Sequence, residues 1–213
     1  MDCTHIPEIS CFYSDTIASH ILNPSAHFEY EMILVTDGSA QVQIHDRTYP
    51  LQRGSLLFIS RLEQHQFCIV KEPYCRYVLS VSSDLLLSHL NEPRLASIFM
   101  QRPEYFSHVV QLNEEQLAYF LPFFQKSADE YEKQPDFYTL QSIALLLSIL
   151  ISLYRLYPNA FPMEDSSSLS AAVLNAQIYV SRHFNRKLTL QEIADQCFLN
   201  RHTLSLAFKE IVG

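Results

Sequence analysis

Between about residue 27 and residue 82 the apolar positions come in short alternating or nearly continuous runs, which predicts strands rather than helices. Phe28–Thr36 is rich in Ile, Val and Tyr and stops at Asp37-Gly38, a dipeptide suited to a two-residue hairpin turn. Ala40–Ile44 alternates apolar with polar side chains. His45-Asp46-Arg47 reads as the next turn and Thr48–Leu51 as a short strand. Arg53-Gly54 breaks the chain before Ser55–Ser60, and Gln66–Val70, a break at Glu72-Pro73 and Arg76–Val81 complete the series. Short strands at this spacing predict an antiparallel barrel or sandwich.

From about 83 to 158 the period becomes helical. Asn113 is placed to cap a helix whose first turn holds Glu114 and Glu115, which suits the helix dipole. Leu117, Phe120, Leu121 and Phe124 continue its apolar face. After a break at Gln134-Pro135-Asp136, a helix over 136–157 carries Leu140, Ile143, Ala144, Leu147, Leu150, Ile151 and Tyr154. Its apolar face also takes in Leu145, Leu146 and Ile149, broad enough to cover the barrel and meet a second subunit; a purely internal core helix is the alternative. Pro158 to Ser168 has linker composition, ending in Ser166-Ser167-Ser168. The domain reading is therefore 1–160 for a barrel with its helices, 158–170 for a linker, and 171–213 for a second, helical module.

Composition fits this plan. Of 213 residues, 48% are hydrophobic and 18% charged, enough apolar surface for a real core. The net charge of −8 argues against a nucleic-acid binder until it is divided. Residues 171–213 hold five basic side chains against three acids, a net +2, which leaves −10 for the first 170. The start, Met1 to His5, lacks a secretory pattern, and the longest apolar stretch, Ile143–Leu153, falls short of a bilayer span, so a cytoplasmic protein with no membrane partner is expected. Cys3, Cys11, Cys68, Cys75 and Cys197 form no CxxC pair and read as free thiols; Cys68 and Cys75 could face each other across a hairpin as a redox pair.

In the second module Leu169–His183 predicts one helix. Thr189 and Glu192 are spaced as a capping box for a short second helix, and Asn200 caps a third. Leu204 and Phe208 turn inward, leaving Arg201, His202, Ser205 and Leu206 outward on a helix that could enter a major groove. Leu188–Gly213 resembles the first helix-turn-helix of the AraC/XylS regulators, whose pattern is roughly L-T-L-x-x-L-A-x-x-x-x-L-S-x-x-x-L-S-x-x-F-K-x-x-x-G. Leu188, Thr189, Leu190, Ala194, Leu199, Leu204, Ser205, Phe208, Lys209 and Gly213 match it without a gap, with Ile193 for Leu and Asn200 for Ser. Phe198 departs from a usual turn glycine, and Leu206 from an arginine that often reaches bases. The resemblance implies that His202 and Ser205 face base edges and Arg201 a phosphate. The family's DNA-binding unit has two such motifs, so a chain ending at Gly213 is expected to bind DNA weakly or not at all; a structural helical hairpin is the alternative.

The strand region resembles the cupin barrel that many such regulators carry at the N-terminus. His27, Glu31 and Gly38 follow the spacing of the first cupin motif, with Ser25 in the place of its first histidine. Gly54 and His65 follow the second, with Ser60 and Leu62 replacing its Pro and Gly. Three of four cupin metal-ligand positions, His27, Glu31 and His65, thus hold ligand-type residues. The resemblance implies no metal and no cofactor, because AraC-type barrels commonly lack one. Alternation puts His27, Glu29 and Glu31 on one face: buried, they need a ligand, a metal or water, and exposed, they are ordinary surface groups. With His65, and with Tyr30 and Tyr77 as stacking partners if the register allows, they suit a small polar effector such as a sugar. The expectation is thus an α+β chain: an N-terminal antiparallel cupin-like β-barrel with a helical dimerisation element, then a partial all-α helix-turn-helix domain. It predicts a ligand-responsive, homodimeric regulator whose full-length form binds DNA, rather than an enzyme; a metal-dependent cupin enzyme and a DNA-free dimerisation module are the alternatives.

Overall fold

The computed structural model describes residues 8–16, 22–90, 92–101, 103, 105–162 and 168–211. Cys3, Gly213 and most of the predicted linker's serine run lie outside them. The chain divides into two compact units, Met1–Leu85 with Ser107–Ser152, and Leu86–Phe106 with Leu153–Gly213.

The first unit is built on six strands: β1 Ile9–Thr16, β2 Tyr30–Ile44, β3 Arg47–Gln52, β4 Ser55–Ile59, β5 His65–Val81 and β6 Val109–Gln111. All pairings are antiparallel, in the order β1-β5-β2-β4-β6, with β3 also on β2. Among the described residues β1 and β6 do not pair, so the predicted barrel is a sheet that does not close into a ring. Two of these strands depart from the expected elements. β1 lies upstream of residue 27, where no strand was expected, and β6 lies inside the segment expected to be helical.

Asp37-Gly38 is not a hairpin turn. β2 runs straight through it, pairing with β5 along both halves and with β4 and then β3 on its other edge. The register slips between Val35 and Ala40, and Gly38 has φ +72°. A bulge of this kind inserts residues without ending the strand. Ile33 and Val35 before it, and Ala40, Val42 and Ile44 after it, belong to one core cluster, so the inward positions switch from odd to even across the bulge. Glu72-Pro73 does not end a strand either: Ile69 before it and Tyr74 and Val78 after it reach the same core. Cys68 and Cys75 therefore lie on one strand, seven residues apart, not across a hairpin; among the described residues the cysteines are free thiols.

The opposite sheet face, including Tyr30, Met32 and Leu34, is also buried. Helix α3, Glu114–Lys133, packs over β1 and β5, with Phe120 and Phe124 fully buried. Asn113 caps it as expected, and Gln116 completes a capping box. Helix α1 is Ser83–His89, α2 is Pro93–Met100 and α4 is Tyr138–Leu156. α4 is 19 residues long and apolar enough in composition to cross a membrane, a property that core helices of soluble proteins share. Ile143, Leu146, Ile149 and Leu150 are buried, whereas Leu140, Ala144 and Ile151 are exposed.

The second unit holds α5 Ser168–His183, α6 Leu190–Gln196 and α7 Arg201–Ile211. Ala172, Ala176, Ala194, Cys197 and Leu204 form a core cluster in it, and the three alanines and the cysteine are small enough to let the helices approach closely. Asn200 Oδ1 caps α7 by accepting from Thr203 N at 2.8 Å. Thr189 makes only its own half of the expected capping box: Glu192 turns instead to Arg186 and to the Tyr179 hydroxyl. These two partners hold the Glu192 carboxyl down at about 2. Phe198, in the place of a turn glycine, has φ +55° and is 96% exposed.

Candidate functional site

The inward face of β2 is apolar except at its first turn. Glu31 opens the series that continues with Ile33 and Val35, and sits opposite Ile59 on β4 and Ser80 on β5. Ser80 Oγ donates to Glu31 Oε1 at 3.0 Å. The segment before β2 is tied down by backbone: Ser25 and His65 exchange two hydrogen bonds, and Leu62 N donates to His27 O at 2.7 Å. This brings His27 Nε2 to 3.1 Å from Glu31 Oε2. It also places Ser25 Oγ 2.8 Å from His65 Nε2. The four positions picked out by cupin spacing thus converge, although Glu31 and His65 stand near opposite ends of the β2–β5 pairing.

The hydrogen bonds fix the state of each imidazole. His65 Nδ1 lies 2.9 Å from the Glu63 carbonyl oxygen and must donate to it, so Nε2 carries a lone pair and accepts from Ser25. Burial pushes His65 below its ordinary value, and it is neutral. His27 Nδ1 likewise donates to the Glu29 carbonyl at 3.0 Å, while its Nε2 faces the Glu31 carboxylate. Its contact with Glu31 raises its pKa against the opposing effect of burial. Burial pushes Glu31 upward, but His27 and Ser80 together hold it below its ordinary value. The site therefore presents an imidazole against a carboxylate, a second imidazole held beside a hydroxyl, and a further hydroxyl on the carboxylate.

These shifts set a pH window in metal-free protein. Glu31, depressed from 4.5, contributes stability above that pH and loses it as pH falls through its lower folded value. His27, raised from 6.5, contributes below that pH and loses it as pH rises through its higher folded value. The pair contributes fully between those two limits. Histidine NMR titration should show His27 titrating above 6.5 and His65 below it, and Glu31→Gln should bring His27 back down. A His27 that titrates below His65 would contradict the geometry.

The same donors fit a divalent ion. His27 Nε2 is buried and lacks hydrogen-bond geometry to any described partner despite its approach to Glu31. Both Nδ1 atoms are fixed on backbone carbonyls, the contact that commonly orients a metal-binding histidine. One ligand atom each from His27, Glu31 and His65 lie within 4.8 Å of one another. An ion with bonds of about 2.1 Å holds its donors no more than about 4.2 Å apart, so only a small contraction would be needed. A bound ion would take the place of His27's second proton against Glu31.

Not every expected residue belongs here. Glu29 reaches His27 Nδ1 only at 3.8 Å through Oε2. Tyr30 is buried on the opposite sheet face, next in sequence to Glu31 and therefore pointing away. Tyr77 packs on Tyr13 and Phe124 beneath α3. A buried network was not foreseen: His108 Nε2 lies 2.9 Å from Glu63 Oε1, and His108 Nδ1 3.0 Å from the Tyr49 hydroxyl. It holds the loop whose Glu63 carbonyl orients His65, and the only signal for it in the sequence was Glu63 two residues before that histidine. Beside His65 opens a cavity of about 160 Å³ lined by Pro24, Gln43, His45, Gln64 and Gln66. Arg201, His202, Ser205 and Leu206 are all exposed on α7.

Residues 7–150 match the family described as the AraC-like ligand binding domain. No curated protein matches the chain in sequence. Among solved structures the chain is similar to wild-type ToxT of Vibrio cholerae strain SCE256 bound to an unsaturated fatty acid, with TM-score 0.51 and 12% identity, over 95% of this chain and 72% of that one. ToxT of Vibrio cholerae O395 gives TM-score 0.50 and 12% identity, over 95% and 73%. The AraC-like transcriptional activator CuxR gives 0.45 and 13%, over 86% and 61%. The ToxT likeness bears on fold and agrees with the α+β, cupin-like expectation.

Proposed function

Given that the chain belongs to the AraC-like ligand-binding family, we propose that it is the sensory part of a cytoplasmic, ligand-responsive transcription regulator, and that its effector is a small polar metabolite such as a sugar. The observation that carries this reading is the cluster of Ser25, His27, Glu31, His65 and Ser80, polar groups brought together beside the apolar face of β2. A sugar hydroxyl both donates and accepts, and the cluster offers both roles within a few ångströms. The neighbouring cavity adds the side-chain amides of Gln43, Gln64 and Gln66. Such a pocket has few polar groups in fixed positions on an apolar scaffold, the usual form of a small-molecule site.

Output would run through two further elements. Leu140, Ala144, Leu147 and Ile151 recur on α4 at alternating spacings of four and three, a seam suited to a second copy of the helix. In the second unit α6 and α7 would act as a helix-turn-helix. Arg201 would meet a phosphate, His202 and Ser205 base edges, and Leu206 an apolar base contact.

A thermal-shift screen of sugars and small polar metabolites tests the effector site. A ligand at about 100 times its dissociation constant adds about 2.7 kcal/mol of stability. Glu31→Gln and His65→Gln should each abolish most of that gain; a hit that stabilises both variants as it does the parent would place the effector elsewhere. The approach of His27 Nε2, Glu31 and His65 to within 4.8 Å of one another favours a second reading, a metal-loaded site. About one iron or zinc per chain in purified protein, lost in His65→Ala, would establish it, and protein that takes up no metal would dismiss it.

A further inference from the structure

We propose that the groove between β1, β5 and α3 is a second ligand site, for a small organic cation such as a quaternary ammonium compound. The groove has a volume of about 760 Å³, with Cys11, Tyr13 and Tyr77 on the sheet side and Asp129, Tyr131 and Glu132 on the helix side. It arises from a change of character along α3. Leu117, Phe120 and Phe124 bury bulky side chains in the first half of the helix. On the turns that follow, Gln125, Ala128, Asp129 and Glu132 occupy one face at helical spacing, with short or polar groups. The sheet there is left partly uncovered, with Tyr13 49% exposed.

The lining has the chemistry of a cation site. Tyr13 and Tyr77 lie with ring centroids 5.1 Å apart at 56°, an angled pair that can present π faces from two directions, and Tyr131 adds a third ring. Asp129 and Glu132 stand on the helix side, and among the described lining residues none is Lys or Arg. Lys133 reaches Asp129 at 3.4 Å, but both groups are over half exposed and the pair is weak. The hydrogen bond with Cys75, then burial, with a smaller part from Asp15, push the Tyr13 phenol up to about 12, so the ring stays neutral. Cys11 is buried and its thiol is pushed up to about 12 by that burial, which makes it a wall rather than a reactive group. Tyr13 and Tyr77 lie on the sheet face opposite Glu31, so the groove is separate from the effector site.

Calorimetric titration of the full chain with choline, and with its neutral isostere in which a quaternary carbon replaces the nitrogen, tests the proposal. Choline should bind saturably at millimolar concentration or below, and the isostere at least about fivefold more weakly, because only the cation gains from rings and carboxylates. Tyr13→Leu should weaken choline by at least about fivefold. Glu132→Gln, on the exposed helix side and independent of sheet packing, should weaken it by about two- to threefold, an effect that salt erases. Equal affinity for the isostere, no binding of either compound, or choline binding unchanged in both variants would overturn the proposal.

Discussion

Gly38→Ala should destabilise the first unit by more than about 3 kcal/mol, more than removing a typical surface contact. A Cβ at Gly38 would stand 2.1 Å from the Pro73 carbonyl oxygen and 2.6 Å from that of Lys71. Both obstacles are backbone, so no side chain can swing aside. The φ of +72° adds about 1–2 kcal/mol for any L-residue in the left-handed region. Relief requires the facing bulges of β2 and β5 to separate, and these are the two longest strands, which carry the apolar face on both sides of the bulge. Urea unfolding should show a lower midpoint with an unchanged slope. A loss under about 1 kcal/mol would mean that the two bulges are not locked together.

The second large effect is expected at the Glu63–His108 pair. Both side chains are buried, at 6% and 7% exposure. Replacing one partner of such a pair by an apolar residue costs about 3–5 kcal/mol, because the other is left desolvated opposite a group that cannot bond to it. His108→Leu should fall in that range, and Glu63→Met should be comparably harmful. The double variant should be less destabilised than the sum by at least about 2 kcal/mol, since it removes both members of the pair. Strict additivity would show that the 2.9 Å contact contributes nothing. His108→Leu should also weaken effector binding, because the loop it anchors supplies the carbonyl that sets the tautomer of His65.

The apolar pattern led to the same error at two facing places, for one physical reason. Asp37-Gly38 and Glu72-Pro73 each interrupt alternation, and a bulge and a turn produce the same local interruption. Both shift the apolar phase and both favour residues that tolerate unusual backbone. What separates them is whether the chain beyond pairs with its own upstream half or with a third strand. β5 pairs with both halves of β2, and that decides for the bulge. β1 went unforeseen because its outward residues, Phe12 and Tyr13, are large and exposed, which blurs the alternation of an edge strand. β6 is three residues long, too short for any period to register.

The site was legible to the extent that its spacing was. His27, Glu31 and His65 stood out by their separation from Gly38 and Gly54, and Ser25 by the position it fills; the fold brings all four together. Ser80, His108 and Tyr49 carried no such mark, because each joins the site across 45 or more residues through strand register. Tyr30 and Tyr77 illustrate the same limit from the other side. Their chemistry suits a ligand pocket, but alternation turns Tyr30 away from Glu31, and register seats Tyr77 under α3.

By itself, then, the sequence determined the class of the chain: a strand-rich region ahead of helices, a cap at Asn113, a cap at Asn200, and histidine and carboxylate positions whose spacing is that of a cupin end. These follow from interactions local in sequence, where period and capping operate within a few residues. Only the tertiary structure decided that Asp37-Gly38 bends a strand instead of ending it, and that the sheet stays open among the described residues. It alone decided that His27 lies against Glu31 while His65 lies against Ser25, and that a tyrosine pair floors a groove on the opposite face. Each of those depends on which distant strand lies alongside, and so on the joint burial of side chains far apart in the chain.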